Sequence, residues 1–214
     1  MALSEKEYKE LTIREFTRAA EVYESGHAGI YEMCKEDYPP VLAELEKEGF
    51  TDLLDCGCGT GPMIELLHGK YPDKHYTGLD LTPDMIRKAQ EKELPNTRFV
   101  VGDCENLPFE PETFDVVICT NSFHHYPNPQ DFFASVHRVL RKGGRLILRD
   151  YTSSDLMVWL MNHLEMPLAH LFGHGDVRVY KKSEYLQMIT QAGLTPVVLE
   201  AQKNFRCHVV ARKM

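Results

Sequence analysis

Leu53-Leu54-Asp55-Cys56 runs directly into Gly57-Cys58-Gly59-Thr60-Gly61, and Pro62 follows at once. A short apolar strand, a loop with glycine at every second position and a proline suited to a first helical turn leave few folds open. Glycine serves where φ must be positive or where a bulky ligand lies against bare backbone. The N-terminus of the helix that follows adds free N–H donors. The same punctuation recurs downstream, with strands predicted at Tyr76–Leu79, Thr97–Val101, Phe114–Cys119 and Arg145–Leu148. Helices are expected between them at Pro62–Gly69, from Thr82 or Asp84 onward, and at Gln130–Leu140, with Lys142-Gly143-Gly144 as a turn. Buried apolar strands alternating with helices mean parallel pairing with helices on both faces.

The flanks read differently. Ser4 and Glu7 form a capping box ahead of Tyr8, Leu11, Phe16, Ala19, Ala20 and Tyr23, a helix that Gly26 and Gly29 interrupt. A helix from Pro40 to Glu48 is expected to close on a left-handed Gly49. Ser153–Phe172 reads as a helical insertion, Ser183–Ala192 as a helix closed by Gly193, and Leu194–Glu200 with Phe205–Ala211 as a hairpin. The chain is thus expected to form one domain: a helical lid over residues 1–50, a core over 51–150, an insertion over 151–182 and a closing helix and hairpin over 183–214.

A dinucleotide-binding loop would place its third glycine at position 62, which is Pro62; Gly61 breaks that spacing. Gly78-Leu79-Asp80-Leu81 ends the second strand with a carboxylate able to accept from both hydroxyls of a ribose. That feature also fits NAD, and an Asp starting the helix at Thr82-Pro83 would look the same. The third segment, Val101-Gly102-Asp103-Cys104-Glu105-Asn106-Leu107-Pro108-Phe109, is followed by Phe114-Asp115-Val116-Val117. Taken in order from Leu53 to Asp150, these segments resemble the class I S-adenosylmethionine (AdoMet)-dependent methyltransferases, in particular the broad group that includes quinone-biosynthesis methyltransferases.

The resemblance implies a doubly wound, Rossmann-like α/β fold: a mostly parallel seven-stranded sheet, helices on both faces, the last strand antiparallel. It implies AdoMet as cofactor and S-adenosylhomocysteine as product. It also implies cofactor contacts from Asp55, Gly57, Cys58, Gly59 and Gly61 in the first loop, and from Asp80, Leu81 and Met85 after the second strand. Gly102, Asp103 and Cys104 follow the third, with Asp103 accepting from the adenine amino group and the next N–H meeting a ring nitrogen. Thr120 and Asn121, after the fourth strand, belong to the methyl-donor pocket, in a loop that often carries a His pair, here His124-His125. Enzymes that methylate base amino groups commonly show Asp/Asn-Pro-Pro-Tyr/Phe there; this chain has Asn121-Ser122-Phe123-His124.

AdoMet chemistry needs a nucleophile held in line and water kept out, so no catalytic side chain is obligatory. His124 or His125 is a candidate general base, against the alternative that one packs and the other shapes the cofactor pocket. Asp150 and Tyr151, at the carboxyl edge of the fifth strand, are candidates for the substrate pocket. His163, His170 and His174 invite a metal reading, but Gly173 and Gly175 break their helix and no His-Glu-x-x-His accompanies them, so no metal is expected. Tyr8, Phe16, Tyr23, Tyr31, Met33, Met157, Trp159, Met161, Met166 and Phe172 either line an apolar substrate chamber or pack the helices on the sheet.

A net charge of −8 argues against a surface that neutralises phosphates, which together with the fourth-strand loop disfavours nucleic acid and points to a small-molecule acceptor. The polar, acidic start and the lack of a long apolar run predict a cytoplasmic protein without membrane insertion. Cys34, Cys56, Cys58, Cys104, Cys119 and Cys207 form no CxxC pair and read as reduced thiols. The sequence leaves three readings: a small-molecule methyltransferase, an AdoMet-binding protein of the same fold without turnover, and an NAD-dependent oxidoreductase. Acceptor and oligomeric state are open.

Overall fold

The computed structural model describes residues 3–25 and 30–214, without the side chains of Ile30, Tyr31, Met33 and Leu171; the expected breaks at Gly26 and Gly29 lie outside the described residues. Helices α1 (Glu5–Ala19), α2 (Ile30–Lys35) and α3 (Tyr38–Glu46) precede the sheet. Strands and helices then alternate: β1 (Asp52–Cys56), α4 (Pro62–Lys70), β2 (His75–Asp80), α5 (Pro83–Gln90), β3 (Thr97–Val101), β4 (Phe114–Thr120), α6 (Pro129–Val139) and β5 (Leu140–Tyr151). The insertion carries α7 (Asp155–Leu160) and α8 (Met166–Leu171), and α9 (Lys182–Gln191), β6 (Leu194–Gln202) and β7 (Arg206–Lys213) close the chain. The seven strands lie in the order β3-β2-β1-β4-β5-β7-β6. The first five pair in parallel, and β7 runs antiparallel between β5 and β6.

Alternation along each strand divides the core in two. Leu53, Val116, Ile118 and Ile147 face Val41 and Leu45 of α3, Met63 and Ile64 of α4 and Ile86 of α5. Their neighbours Leu54, Val117, Cys119, Leu146 and Leu148 face Phe132, Phe133 and Val136 of α6 and Tyr185 and Ile189 of α9. Because β1 and β4 are neighbours and their crossovers lead in opposite directions, a crevice opens outside their carboxyl ends, where sheets of this kind bind ligands.

The Ser4–Glu7 capping box forms as expected, with Ser4 N donating to Glu7 Oε2 at 2.7 Å and Glu7 N to Ser4 Oγ at 3.4 Å. Two expectations need correction, and the expected helical insertion forms with one irregularity. Gly49 does not take the left-handed conformation; α3 closes through Lys47, whose N–H reaches Glu44 O. The 142–144 turn sits inside an irregular strand, because Leu140 already pairs with Phe114 before the register shifts to Arg145 opposite Val116. The insertion helix widens into a π-turn over Met161–Glu165, where Met166 N–H reaches Met161 O, just before Pro167, which has no N–H for a regular bond. Asn162 holds that turn by donating to Val179 O at 2.8 Å and accepting from Val179 N at 2.9 Å.

The N-terminal helices are fastened to the sheet by charge. Asp37, 1% exposed, accepts from Arg149 Nε at 2.9 Å, Arg206 Nε at 3.0 Å and Asn121 Nδ2 at 2.8 Å. Two guanidiniums on one buried carboxylate make removal of that carboxylate far costlier than loss of a surface pair, because both cations stay buried. Asp37→Ala is expected to destabilise the fold by about 3–5 kcal/mol, read from the urea midpoint at unchanged slope; a loss below 1 kcal/mol would contradict this packing.

Candidate active site

Past Cys56 the chain turns tightly over the carboxyl end of the sheet. Gly57 N and Cys58 N both donate to Leu79 O, at 2.8 and 3.1 Å, and Gly59 N donates to Asp80 Oδ2 at 2.9 Å. The loop from β1 is thereby pinned to the end of β2. Gly57, Gly59 and Gly61 take φ of +73°, +54° and +79°, which L side chains rarely adopt. Space adds a second demand: a Cβ on Gly57 would lie 2.3 Å from Ser122 Oγ, and one on Gly61 2.8 Å from the Phe99 ring.

A cavity of about 840 Å³ opens beside this loop. Among the expected cofactor residues, Asp55, Gly57, Cys58, Gly59, Asp80, Leu81, Met85, Asp103, Cys104, Thr120 and Asn121 line it. Gly61 and Gly102 do not. Gly61 caps α4 against Phe99, and a Cβ on Gly102 would meet Leu79 Cδ1 at 2.9 Å, so packing accounts for both glycines.

The carboxylates give the cavity its character. Asp55 is 1% exposed and its Oδ1 has no hydrogen-bond partner. Burial, reinforced by the charge of Asp80, pushes its pKa up to about 7. Burial also raises Asp80, although the N–H groups of Thr82 and Gly59 partly stabilise its charge; Thr82 N donates to Oδ1 at 2.8 Å. Asp103 accepts from Glu105 N at 2.9 Å and from Lys9 Nζ of α1 at 2.8 Å. Asn121, held at φ +52° directly after β4, leaves Oδ1 buried and unpartnered. Two carboxylates whose ionisation burial opposes favour a ligand that brings positive charge and hydroxyl donors; a pyrophosphate would meet repulsion here.

Residues 54–148 match the family described as a methyltransferase domain. Malonyl-[acyl-carrier protein] O-methyltransferase of Herminiimonas arsenicoxydans is 31% identical over 189 residues, 88% of this chain and 68% of that protein. The chain belongs to the class I AdoMet-dependent methyltransferases. Phthiotriol/phenolphthiotriol dimycocerosates methyltransferase of Mycobacterium leprae (strain TN) is 44% identical over 104 residues, 48% of this chain and 38% of that one. The chain spans less than half the length of the mycobacterial relatives it matches. The PH0226 protein of Pyrococcus horikoshii OT3 superposes with a TM-score of 0.73 at 28% identity, covering 94% of this chain and 99% of that one. The cofactor of this family is AdoMet, and the bare backbone at Gly57 and Gly59 with the orphaned oxygens of Asp55 and Asn121 fits it.

The chain has a second cavity, of about 950 Å³, which shares Phe16, Tyr23, Cys34, Asn121 and His125 with the first. Helix α1 lies over the junction. Phe16 meets the His125 ring edge-on at 5.2 Å, Thr12 Oγ1 donates to Gly175 O at 3.3 Å, and Glu15 pairs with His174 Nδ1 at 2.6 Å. Of the apolar residues considered for a chamber, Phe16, Tyr23, Met161 and Met166 line this cavity, whereas Met157, Trp159 and Phe172 are exposed. Tyr8 packs edge-on against His170, and the side chains of Tyr31 and Met33 lie outside the described residues. Glu15, Glu165, Asp176 and three histidines share the wall with these apolar side chains, so the chamber is apolar with a polar rim of ionisable groups.

The histidine loop divides the two cavities. Asp150 is fully buried and lines neither of them. It accepts from Phe123 N at 2.7 Å and from Tyr151 N at 2.7 Å, and pairs with His124 Nδ1 at 2.7 Å. It therefore positions the loop rather than contacting a ligand; Tyr151 does reach the second cavity. Burial opposes charge on His124, but Asp150 and Asp176 outweigh it and raise its pKa well above the usual value. Burial and the neighbouring His124 charge lower His125, which stays neutral. His163, His170 and His174 do not converge; each has a separate partner, in Trp159 O, Asp176 O and Glu15.

Sequence reasoning missed Lys9, Glu105, Ser122, Tyr126 and Asp176. Ser122 and Tyr126 face one another at 2.9 Å beneath Gly57, and their four-residue spacing in the histidine loop was the available signal. Asp176 lies in an irregular loop with no periodicity to mark it. If Gly61 serves packing and backbone geometry, Gly61→Ala should destabilise the ligand-free protein by about 1–3 kcal/mol, measured by denaturant unfolding; unchanged stability would return Gly61 to a ligand-contact role.

Proposed function

We propose that this chain transfers the methyl group of AdoMet to a small-molecule acceptor, with the cofactor in the glycine-loop cavity and the acceptor in the adjoining chamber. The carboxylate pair Asp55–Asp80 carries this reading, because it offers a cation and a sugar diol what a dinucleotide's pyrophosphate would find repulsive. Bound AdoMet supplies a methyl group already activated on a sulfonium, so the chain's task is to bind, orient and exclude water. Asp80 holds the ribose hydroxyls with the lone pairs its two backbone donors leave free. Asp103, Cys104, Leu81, Met85, Thr120 and Asn121 line the same cavity. Asp103 and the N–H of Cys104 would hold the adenine, Leu81 and Met85 would pack on its ring, and Thr120 and Asn121 would border the donor end.

The helices of residues 1–50 and the insertion of 151–182 act as the lid. Lys9 supports this, since it ties α1 to Asp103 at 2.8 Å and Glu105 at 2.5 Å beside the proposed adenine site. The O-methyltransferase named above is named for malonyl-[acyl-carrier protein], which supports an acceptor whose reacting part is a small group, free or borne on a carrier. Six free cysteines support a reducing, cytoplasmic setting, and no helix among the described residues is long and apolar enough to cross a membrane.

Calorimetric titration with AdoMet, S-adenosylhomocysteine and NAD tests the site, and S-adenosylhomocysteine release from a metabolite panel tests turnover. Binding to NAD but not to AdoMet would overturn the reading, and AdoMet binding with no release from any acceptor would reduce it to a binding protein. Asp80→Ala is expected to weaken AdoMet by at least about tenfold, roughly 1.4 kcal/mol or more, and unchanged affinity would remove the ribose assignment. Asp55 adds a pH dependence. Its raised pKa keeps the acid neutral below about 7 and ionised above it, so affinity for the cationic cofactor should rise with pH through that region. From pH 5.5 to 7 the amino group of AdoMet stays protonated, and affinity should climb by up to about tenfold per unit. A flat profile over that window in wild type would contradict the role given to Asp55, and Asp55→Asn should flatten it.

A further inference from the structure

The His124–His125–Asp176 cluster lies outside the cofactor assignment, and its geometry has a use of its own. His124 Nε2 stands 3.3 Å from Asp176 Oδ1, and His125 Nδ1 stands 3.6 Å from the same oxygen. The three candidate ligand atoms lie within 4.8 Å of one another. A tetrahedral ion with bonds of about 2.1 Å sets its ligands about 3.4 Å apart, close to the two separations found.

We propose that His124, His125 and Asp176 form a binding site for one divalent transition-metal ion at the wall of the acceptor chamber. An ion entering here displaces to solvent the proton between His124 Nε2 and Asp176. Two imidazoles and one carboxylate then stand on one side of it with the other side open, a set that suits zinc, cobalt or iron(II) better than magnesium or calcium, which prefer oxygen. The surroundings are those of a built site. Metal-bound histidine commonly gives its second nitrogen to a carboxylate, and His124 Nδ1 is held at 2.7 Å by Asp150, which three backbone N–H groups fix in turn. His125 is 8% exposed and its Nδ1 has no hydrogen-bond partner, an unsatisfied nitrogen aimed at the same oxygen that His124 meets. Asp176 comes from the loop that His124 O fastens by accepting from Val177 N at 2.8 Å, so ligand and loop are positioned together.

All three residues border the second cavity, so the open coordination position faces the acceptor chamber. There the ion would hold an oxygen of the acceptor and favour its deprotonated form. That assignment rests on the methyl-transfer reading; metal binding itself does not.

The full chain, stripped with a chelator and dialysed, is titrated with Co²⁺ while ligand-field absorption is followed, and with Zn²⁺ by calorimetry. One equivalent is expected, with visible bands of a four- or five-coordinate cobalt, and Mg²⁺ should not compete. Asp176→Asn keeps the shape of the side chain and removes its charge; it should weaken Zn²⁺ by about tenfold or more, while AdoMet affinity stays near wild type. Asp150→Asn should weaken the metal by about 10–100-fold through His124. Uptake well below one equivalent would overturn the site, as would Zn²⁺ affinities of Asp176→Asn and His125→Ala both within twofold of wild type. Stoichiometric metal without AdoMet binding would leave this site standing and overturn the methyl-transfer reading; AdoMet binding without metal would do the reverse.

Discussion

The carbonyl of Leu79 holds this architecture at its functional end. It accepts from Gly57 N and Cys58 N while the next side chain, Asp80, accepts from Gly59 N, so the loop after β1 is stitched to the last residues of β2. A side chain at 57 would strike Ser122 as it forced the backbone out of positive φ, and the stitch would open. The cavity floor exists because this bond pattern leaves peptide rather than side chains beside Asp55 and Asp80.

The same stitch explains why two acids can share one buried wall. Backbone N–H groups stabilise charge on Asp80, whereas Asp55 has only the chain's solvation to lose. The protein therefore folds with one of the pair poised near neutrality and a lone pair unsatisfied, a standing cost that a cationic ligand would offset. Stability is recovered elsewhere, in the Asp37 cluster and in the two packed faces of the sheet.

Legibility in the sequence followed from how local the determinants were. The strands were readable because both of their faces are buried, so they appear as short apolar runs between turn residues. Asp55, Asp80 and Asp103 were readable because each closes or follows one strand, and the parallel order of β1, β2 and β3 carries all three to the same edge. Glycines were harder. Gly57 and Gly61 share one motif, yet one borders the cavity and the other packs on Phe99, a residue 38 positions further along that no local pattern connects to it. Gly49 looked like a helix cap by position, but Lys47 ends the helix first.

Chemistry at the chamber was the least legible part, since it depends on distant segments meeting. Asp150 stands at the end of β5, where a ligand contact is the natural expectation, but His124 and three N–H groups enclose it. Its charge reaches the chamber only through the imidazole it holds. Asp176, 26 residues beyond Asp150 and in no regular element, takes the exposed side of that imidazole. An imidazole gripped by one carboxylate from beneath and faced by another from above is fixed in orientation and favoured in its charged form. The chain thus divides its acids by position: Asp55 and Asp80 leave capacity open towards the first cavity, while Asp150 spends all of its capacity on placing a histidine at the edge of the second.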